Sequence, residues 1–115
     1  MVTTTTNYYM YVLACADGTL YTGYTTHLQA RERAHQAGRG AKYTRPPFRH
    51  PLKMIFSVAF STKQEAMSAE YHFKQHTRAQ KEALLKQCGV KIFTPNAPHR
   101  IDITADTWKS LQERG

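Results

Sequence analysis

Tyr8-Tyr-Met-Tyr-Val-Leu-Ala-Cys15, Ala16-Asp-Gly-Thr19, Leu20-Tyr-Thr-Gly-Tyr-Thr25, then Thr26-His-Leu-Gln-Ala-Arg31-Glu-Arg-Ala-His35 is the stretch that decides the fold. Two short aromatic-rich runs flank an Asp17-Gly18 pair. Tyr, Val and Leu suit strands, and Asp-Gly between such runs predicts a hairpin with a type I′ turn, which needs positive φ at both central residues. Thr26-His-Leu-Gln29 has the form of a capping box, so a helix is predicted to open there. It should run to about Ala37, with Gly38 ending it in the left-handed conformation. At 3.6 residues per turn Ala30, Ala34 and Ala37 share a narrow face, which is expected to pack closely on the sheet. Arg31 and His35 border that face, one turn apart. Arg33 points well away.

Outward from this stretch, residues 38–51 hold two glycines and three prolines and read as a loop. Arg39, Lys42, Arg45, Arg49 and His50 are interleaved there with Tyr43 and Phe48. Residues 52–60 read as a buried strand. Thr62-Lys-Gln-Glu65 and Thr77-Arg-Ala-Gln80 are two further capping-box patterns and predict helices over about 63–76 and 78–87, the second stopped by Gly89. On the first, Ala66, Ala69 and Phe73 form the core face, with Glu70 on its flank. Residues 90–103 show no period and read as an extended connection, and a short helix is expected over 105–114 with Trp108 and Leu111 packing back. The order strand-strand-helix-strand-helix-helix makes an α+β domain over 8–88, with a disordered terminus at 1–7 and a C-terminal extension at 89–115.

With 115 residues the chain is one domain with a modest core. Its net charge of +8 and pI near 9.7 favour a polyanionic partner, meaning nucleic acid or an anionic membrane surface. Cys15 and Cys88 lie far apart without C-x-x-C spacing, which argues against a cysteine zinc site. They read as reduced thiols of a cytoplasmic protein. No apolar run reaches the length of a membrane span, and residues 1–7 lack the features of a signal peptide.

The hairpin and helix resemble the core of a GIY-YIG nuclease domain, specifically the small stand-alone bacterial members of the UPF0213 type. Met10-Tyr11-Val12 would be the first motif, its tyrosine kept although Met and Val replace Gly and Ile. Tyr21-Thr22-Gly23 would be the second. The family's arginine falls on Arg31 and its His-or-Tyr one turn later on His35. The run Gly38-Arg-Gly-Ala-Lys-Tyr-Thr44 is also similar to one carried by these members. The resemblance implies a three-stranded antiparallel sheet with flanking helices. It also implies a metal-dependent endonuclease for DNA, in repair or recombination on branched or damaged structures, with Mg²⁺ or Mn²⁺ held by a glutamate on the helix after the third strand. Glu70 matches that glutamate better than Glu65, which the capping box occupies. In one departure, the asparagine that many members carry a dozen or so residues later is missing: residues 82–85 read Glu-Ala-Leu-Leu, and Asn96 lies beyond Gly89.

Phosphodiester hydrolysis needs a base for the attacking water, neutralisation of phosphate charge, help for the leaving oxygen and a grip on the backbone. Taken alone, Tyr11 and Tyr21 would be core aromatics, Arg31 a solvated helix arginine and Glu70 a solvated acid. Placement raises the tyrosines and Arg31, and the resemblance raises Glu70. Either Tyr11 or His35 serves as the base: a phenol titrates near 10 and needs a neighbouring cation, whereas imidazole titrates near neutrality. Arg31 is the residue for charge stabilisation, since guanidinium forks onto two oxygens. By the resemblance Glu70 is the metal ligand, which suits Mg²⁺, a cation that keeps most of its waters and takes one or two carboxylates. Arg39, Lys42, Tyr43 and Arg45 are the candidates for holding DNA phosphates. The alternative function is a non-catalytic nucleic-acid-binding module on the same scaffold, and a third is a protein-interaction domain. With no appended targeting domain, substrate choice rests on this domain or on a protein partner.

Overall fold

In the computed structural model, which describes residues 7–113, the two aromatic runs form strands β1 (Tyr8–Cys15) and β2 (Leu20–Thr25). Helix α1 (Leu28–Gln36) follows, then single 3₁₀ turns at Lys42–Thr44 and Pro47–Arg49, and strand β3 (Leu52–Phe60). Helices α2 (Lys63–Gln75) and α3 (Arg78–Gln87), strand β4 (Ile101–Thr104) and helix α4 (Ala105–Glu113) complete the chain. Apart from Asn7, the terminus expected to be disordered lies outside the described residues. Among them, no helix is long and apolar enough to cross a membrane.

The sheet has four strands in the order β2-β1-β3-β4, with β4 parallel to β3 and the other pairs antiparallel. This corrects the three-stranded antiparallel sheet expected from the sequence, and part of the supposed 90–103 connection is a strand. Ile101-Asp-Ile-Thr104 does alternate, but four residues are too short a run to separate from a loop, and the strand's partner lies some 45 positions earlier.

β1 is the central antiparallel strand and is buried on both faces, which explains its imperfect alternation. Met10, Val12 and Ala14 join Phe56, Val58, Ala66, Phe73 and Leu85 on the side covered by α2 and α3. Tyr11, Leu13 and Cys15 join Leu52 and Met54 in a second cluster, which also takes Leu28 of α1. The β1/β3 register shifts between Val12 and Leu13, so Ile55 is an extra residue on β3. Trp108 of α4 closes the first side, 5.9 Å from the Phe56 ring and 6.2 Å from Phe73.

Three local expectations change. The hairpin is not type I′: only Gly18 has positive φ (87°), the Gly18 amide donates to the Cys15 carbonyl and the Cys15 amide to Thr19. This is the three-residue loop that ends in a left-handed glycine. The Thr26 box does not form, because the N-cap is His27, which puts Gln29 one position too early; Thr25 Oγ1 accepts from the His27 amide instead. Nor does the Ala30, Ala34 and Ala37 stripe form a buried face, with Ala34 only half-buried. Ala30 and Ala37 are exposed, and the inward side carries Leu28, Glu32 and His35. This helix docks through polar groups: Glu32 Oε2 accepts from the Met54 amide beside the bulge at 2.8 Å, and Gln36 Nε2 donates to the Leu52 carbonyl. A hydrophobic period cannot reveal that contact.

The Thr77–Gln80 box is complete, with Gln80 N to Thr77 Oγ1 at 3.2 Å and Thr77 N to Gln80 Oε1 at 2.9 Å. Thr77→Ala should therefore cost about 1 kcal/mol in urea unfolding, whereas Thr26→Ala should change stability by less than about 0.5 kcal/mol. Equal effects would contradict the two cap assignments.

Candidate active site

Tyr11 stands directly across from Gly23 on one side and Ser57 on the other. Its ring rises on the α1 side of the sheet, where a line of hydrogen bonds begins. Arg31 Nε donates to the Tyr11 hydroxyl at 3.3 Å. The Tyr11 hydroxyl and His35 Nε2 are 2.8 Å apart, and His35 Nδ1 and Thr44 Oγ1 are 2.7 Å apart. Thr44 Oγ1 donates onward to the Ala41 carbonyl at 3.0 Å. With its hydrogen committed to Ala41, Thr44 accepts from His35 Nδ1–H, so Nε2 carries the lone pair and Tyr11 donates to it. The Arg31 end agrees, since a hydroxyl that accepts there is free to donate. The chain thus has one direction, from guanidinium through phenol and imidazole to hydroxyl and carbonyl.

The pKa shifts follow from this packing. Burial is the main cause that pushes the Tyr11 phenol up to about 12, with the charges of Tyr21 and Glu70 adding to it while Arg31 pulls it down. Burial also pushes the His35 imidazole down to about 4, helped by Arg31 and His50. At neutral pH both groups are uncharged, and Tyr11 keeps its proton. His35 is fully buried with both ring nitrogens engaged, so it lies behind Tyr11 and not at the surface.

Two glycines give the line its room. A methyl group at Gly23 would overlap the Tyr11 hydroxyl, and one at Gly40 would overlap the His35 ring. Neither atom is the end of a flexible chain, so neither can step aside cheaply.

Tyr21 lies beside this line, 6.5 Å from the Tyr11 ring and 5.4 Å from His35. Tyr43 stacks on it at 5.7 Å. Glu70 is on the flank of α2, which packs against β1 and β2, and is near enough for its charge to act on Tyr11. Its carboxylate is paired with Lys74 one turn on, at 2.9 Å, and Lys74 Nζ lies 6.0 Å from the Tyr21 ring. Arg39, Lys42 and Arg45 are exposed on the loop and, among the described residues, form no ion pair. No asparagine side chain hydrogen-bonds to Tyr11, Arg31, His35 or Glu70 among the described residues. Glu82, in the segment that lacks the asparagine, is instead paired with Arg78.

A metal fits this donor set only in one way. Among the described residues there is no group of three His, Cys, Asp or Glu side chains that could hold a metal ion, and Glu70 is the carboxylate whose charge reaches Tyr11. That suits a hard cation that keeps its waters and shares a phosphate, and does not suit an enclosed four-ligand site.

Sequence reasoning did not single out Thr44, Gly40, Glu32 or Lys74. Thr44 is nine residues from its histidine on a different element, and nothing in the chain marks the pairing. Gly40 had a signal in the Gly38-x-Gly40 spacing, since only one of two such glycines is needed to end a helix.

A family model described as the GIY-YIG catalytic domain matches residues 7–83, which leaves β4 and α4 outside it. A UPF0213 protein of Limosilactobacillus reuteri is 52% identical over 85 residues, covering 74% of this chain and 88% of that one. A UPF0213 protein of Streptococcus agalactiae is 58% identical over 79 residues, covering 69% and 88%. The solution NMR structure of a protein from E. faecalis superposes with a TM-score of 0.52 at 46% identity, over 75% of this chain and 90% of that one. With the tyrosines, arginine and histidine side by side on this scaffold, the chain belongs to the GIY-YIG catalytic domain family, among its UPF0213 members.

Proposed function

We propose that the protein is a divalent-metal-dependent endonuclease that hydrolyses phosphodiester bonds of DNA. The observation that carries this reading is the buried, one-directional chain Arg31–Tyr11–His35–Thr44 with a carboxylate beside it. A fold needs no such chain for stability; an apolar core would serve. In this reading the phenol is the base and His35 its relay: Tyr11 takes the proton of the attacking water as its own passes to His35 Nε2, 2.8 Å away. Arg31 spends Nε on Tyr11 and keeps its terminal nitrogens for the phosphate oxygens, where charge builds in the transition state. Tyr21 borders the space in which the phosphate sits. Glu70 would hold Mg²⁺ or Mn²⁺, with Lys74 released toward phosphate. When bound, the metal supplies a counter-charge to the leaving oxygen. Arg39, Lys42 and Arg45 grip the backbone, and their loop position matches the requirement for cations free of internal partners. A cytoplasmic role in repair or recombination, on branched or damaged DNA and with a targeting protein, completes the reading.

The test is a cleavage assay on supercoiled, single-stranded, flap and four-way-junction DNA with Mg²⁺, with Mn²⁺ and with chelator, beside Glu70→Ala. Products that need metal and vanish in the variant are expected. A second reading, a binding module without catalysis, is favoured by the Lys74 pairing of Glu70 and the missing asparagine. Salt-dependent DNA binding that survives Glu70→Ala, with no product under any condition, would establish it instead.

A further inference from the structure

The loop between α1 and β3 carries a feature the catalytic reading does not use. Phe48 is 63% exposed, the most exposed of the large apolar side chains among the described residues. It sits in a 3₁₀ turn behind Pro46 and Pro47, so its backbone has little freedom. Beneath it lies the Arg49 guanidinium, 4.8 Å from the Phe48 centroid and 3.8 Å from the Tyr43 centroid. Arg49 cannot wander, because its Nε donates to the Tyr43 carbonyl and its Nη1 is paired with Asp17. Asp17 is itself held by the Thr19 amide and hydroxyl. Tyr43 then stacks on Tyr21, interplanar angle 24°. The result is a continuous series of flat groups, Phe48–Arg49–Tyr43–Tyr21, that leads from solvent to the edge of the Tyr11–His35 pair.

We propose that Phe48 is a stacking site for an unpaired nucleobase, and that the substrate therefore carries a single-stranded segment beside the cleaved bond. The proposal rests on the nucleic-acid reading of the active site and names the class of DNA it takes. Three points carry it. Arg49 has Nε and Nη1 engaged and its guanidinium packed against both rings, so it supports the aromatic stack and is paired with Asp17 in place of a phosphate. Lys42 and Arg45 flank the series and supply charge for the sugar-phosphate chain that runs with the base. And inside a duplex both faces of every base are covered by neighbours, so an outward-facing ring on a rigid loop finds a partner only where the strand is unpaired. Stacking of this kind tolerates any base, since each has a π face.

The experiment is binding by fluorescence anisotropy, in chelator so that cleavage does not intervene, with a labelled oligo(dT) and a blunt duplex at equal salt. Phe48→Ala and Phe48→Leu should each weaken oligo(dT) binding about tenfold, and Phe48→Trp should keep it. Duplex binding should change less than about twofold in all three. The leucine variant retains an apolar side chain without a π face, so its agreement with alanine separates stacking from loop packing. Unchanged oligo(dT) affinity, or equal losses for the two DNAs, overturns the stacking site while DNA binding stands. No binding of either DNA by the native chain overturns the stacking site and the nucleic-acid reading together.

Discussion

Arg31→Ala is expected to lower metal-dependent nicking by about two to three orders of magnitude, the usual effect of removing one preorganised group that meets transition-state charge. Affinity for DNA should fall much less, because Arg39, Lys42 and Arg45 remain on the loop. The size of the effect has two sources. The guanidinium is the nearest cation to Tyr11, with Nε 3.3 Å from the hydroxyl. It also pulls the phenol pKa down against burial. Without it the phenol pKa would be raised further, and the group asked to take a proton would be harder to ionise. Arg31→Lys keeps a charge but loses the fork and the Nε contact, so it should restore only a small part of the rate. Single-turnover cleavage of the best substrate at saturating enzyme is the measurement. A variant that nicks at the native rate removes Arg31 from the site, and one that fails only in binding assigns it to the grip.

How much of this was readable in the chain depends on the range of the interaction involved. The hairpin, β3, α2 and α3 rest on local signals: Gly18 at its turn, the apolar run 52–60, and the Thr62 and Thr77 caps. Each lies within a residue or two of its expected bounds. The face of α2 with Ala66, Ala69 and Phe73 also follows from period alone. α1 does not. Its contacts are Glu32 to a backbone amide freed by a bulge and His35 to a threonine in the next loop, and neither has a hydrophobic signature. The alanine stripe was a plausible docking face only as long as docking was assumed to be apolar. β4 is parallel to a strand three elements back, and a pairing so remote leaves no turn signal to read. For the site, period and spacing bring Arg31 and His35 to one side of a helix, but it is the resemblance to a family that singles out Tyr11, Tyr21 and Glu70 among seven tyrosines and the other acids. The direction of the hydrogen-bond chain needs Thr44 and Ala41 in place, and so belongs to the fold.

Between pH 6.5 and pH 4 the native protein should lose stability of the order of 3 kcal/mol that a His35→Gln variant does not lose. The sign follows from the depressed pKa. Above 6.5 the imidazole is neutral in both the folded and the unfolded chain, and the stabilising arrangement is complete. As pH falls below 6.5 the unfolded chain binds a proton, while the folded chain does not until about 4. Each pH unit in that window therefore favours unfolding by about 1.4 kcal/mol. The ring has no route to water that leaves the loop intact. Gly40 lies against it, Thr44 holds Nδ1, and Tyr11 covers Nε2. Protonation would also turn Nε2 from acceptor into donor and set it against the Tyr11 hydroxyl hydrogen. The carboxylates Asp17 and Glu65 also have lowered pKa values, through Thr19 and Arg49 for the one and through Lys109 and Thr62 for the other. Their contribution is lost below the ordinary carboxylate range and falls at lower pH than that of His35. Urea midpoints at half-unit steps from pH 7.5 to 4 separate the two. Parallel curves for the native chain and His35→Gln would mean that the imidazole is already charged or already solvated, and the link in which Tyr11 donates to His35 Nε2 would be lost.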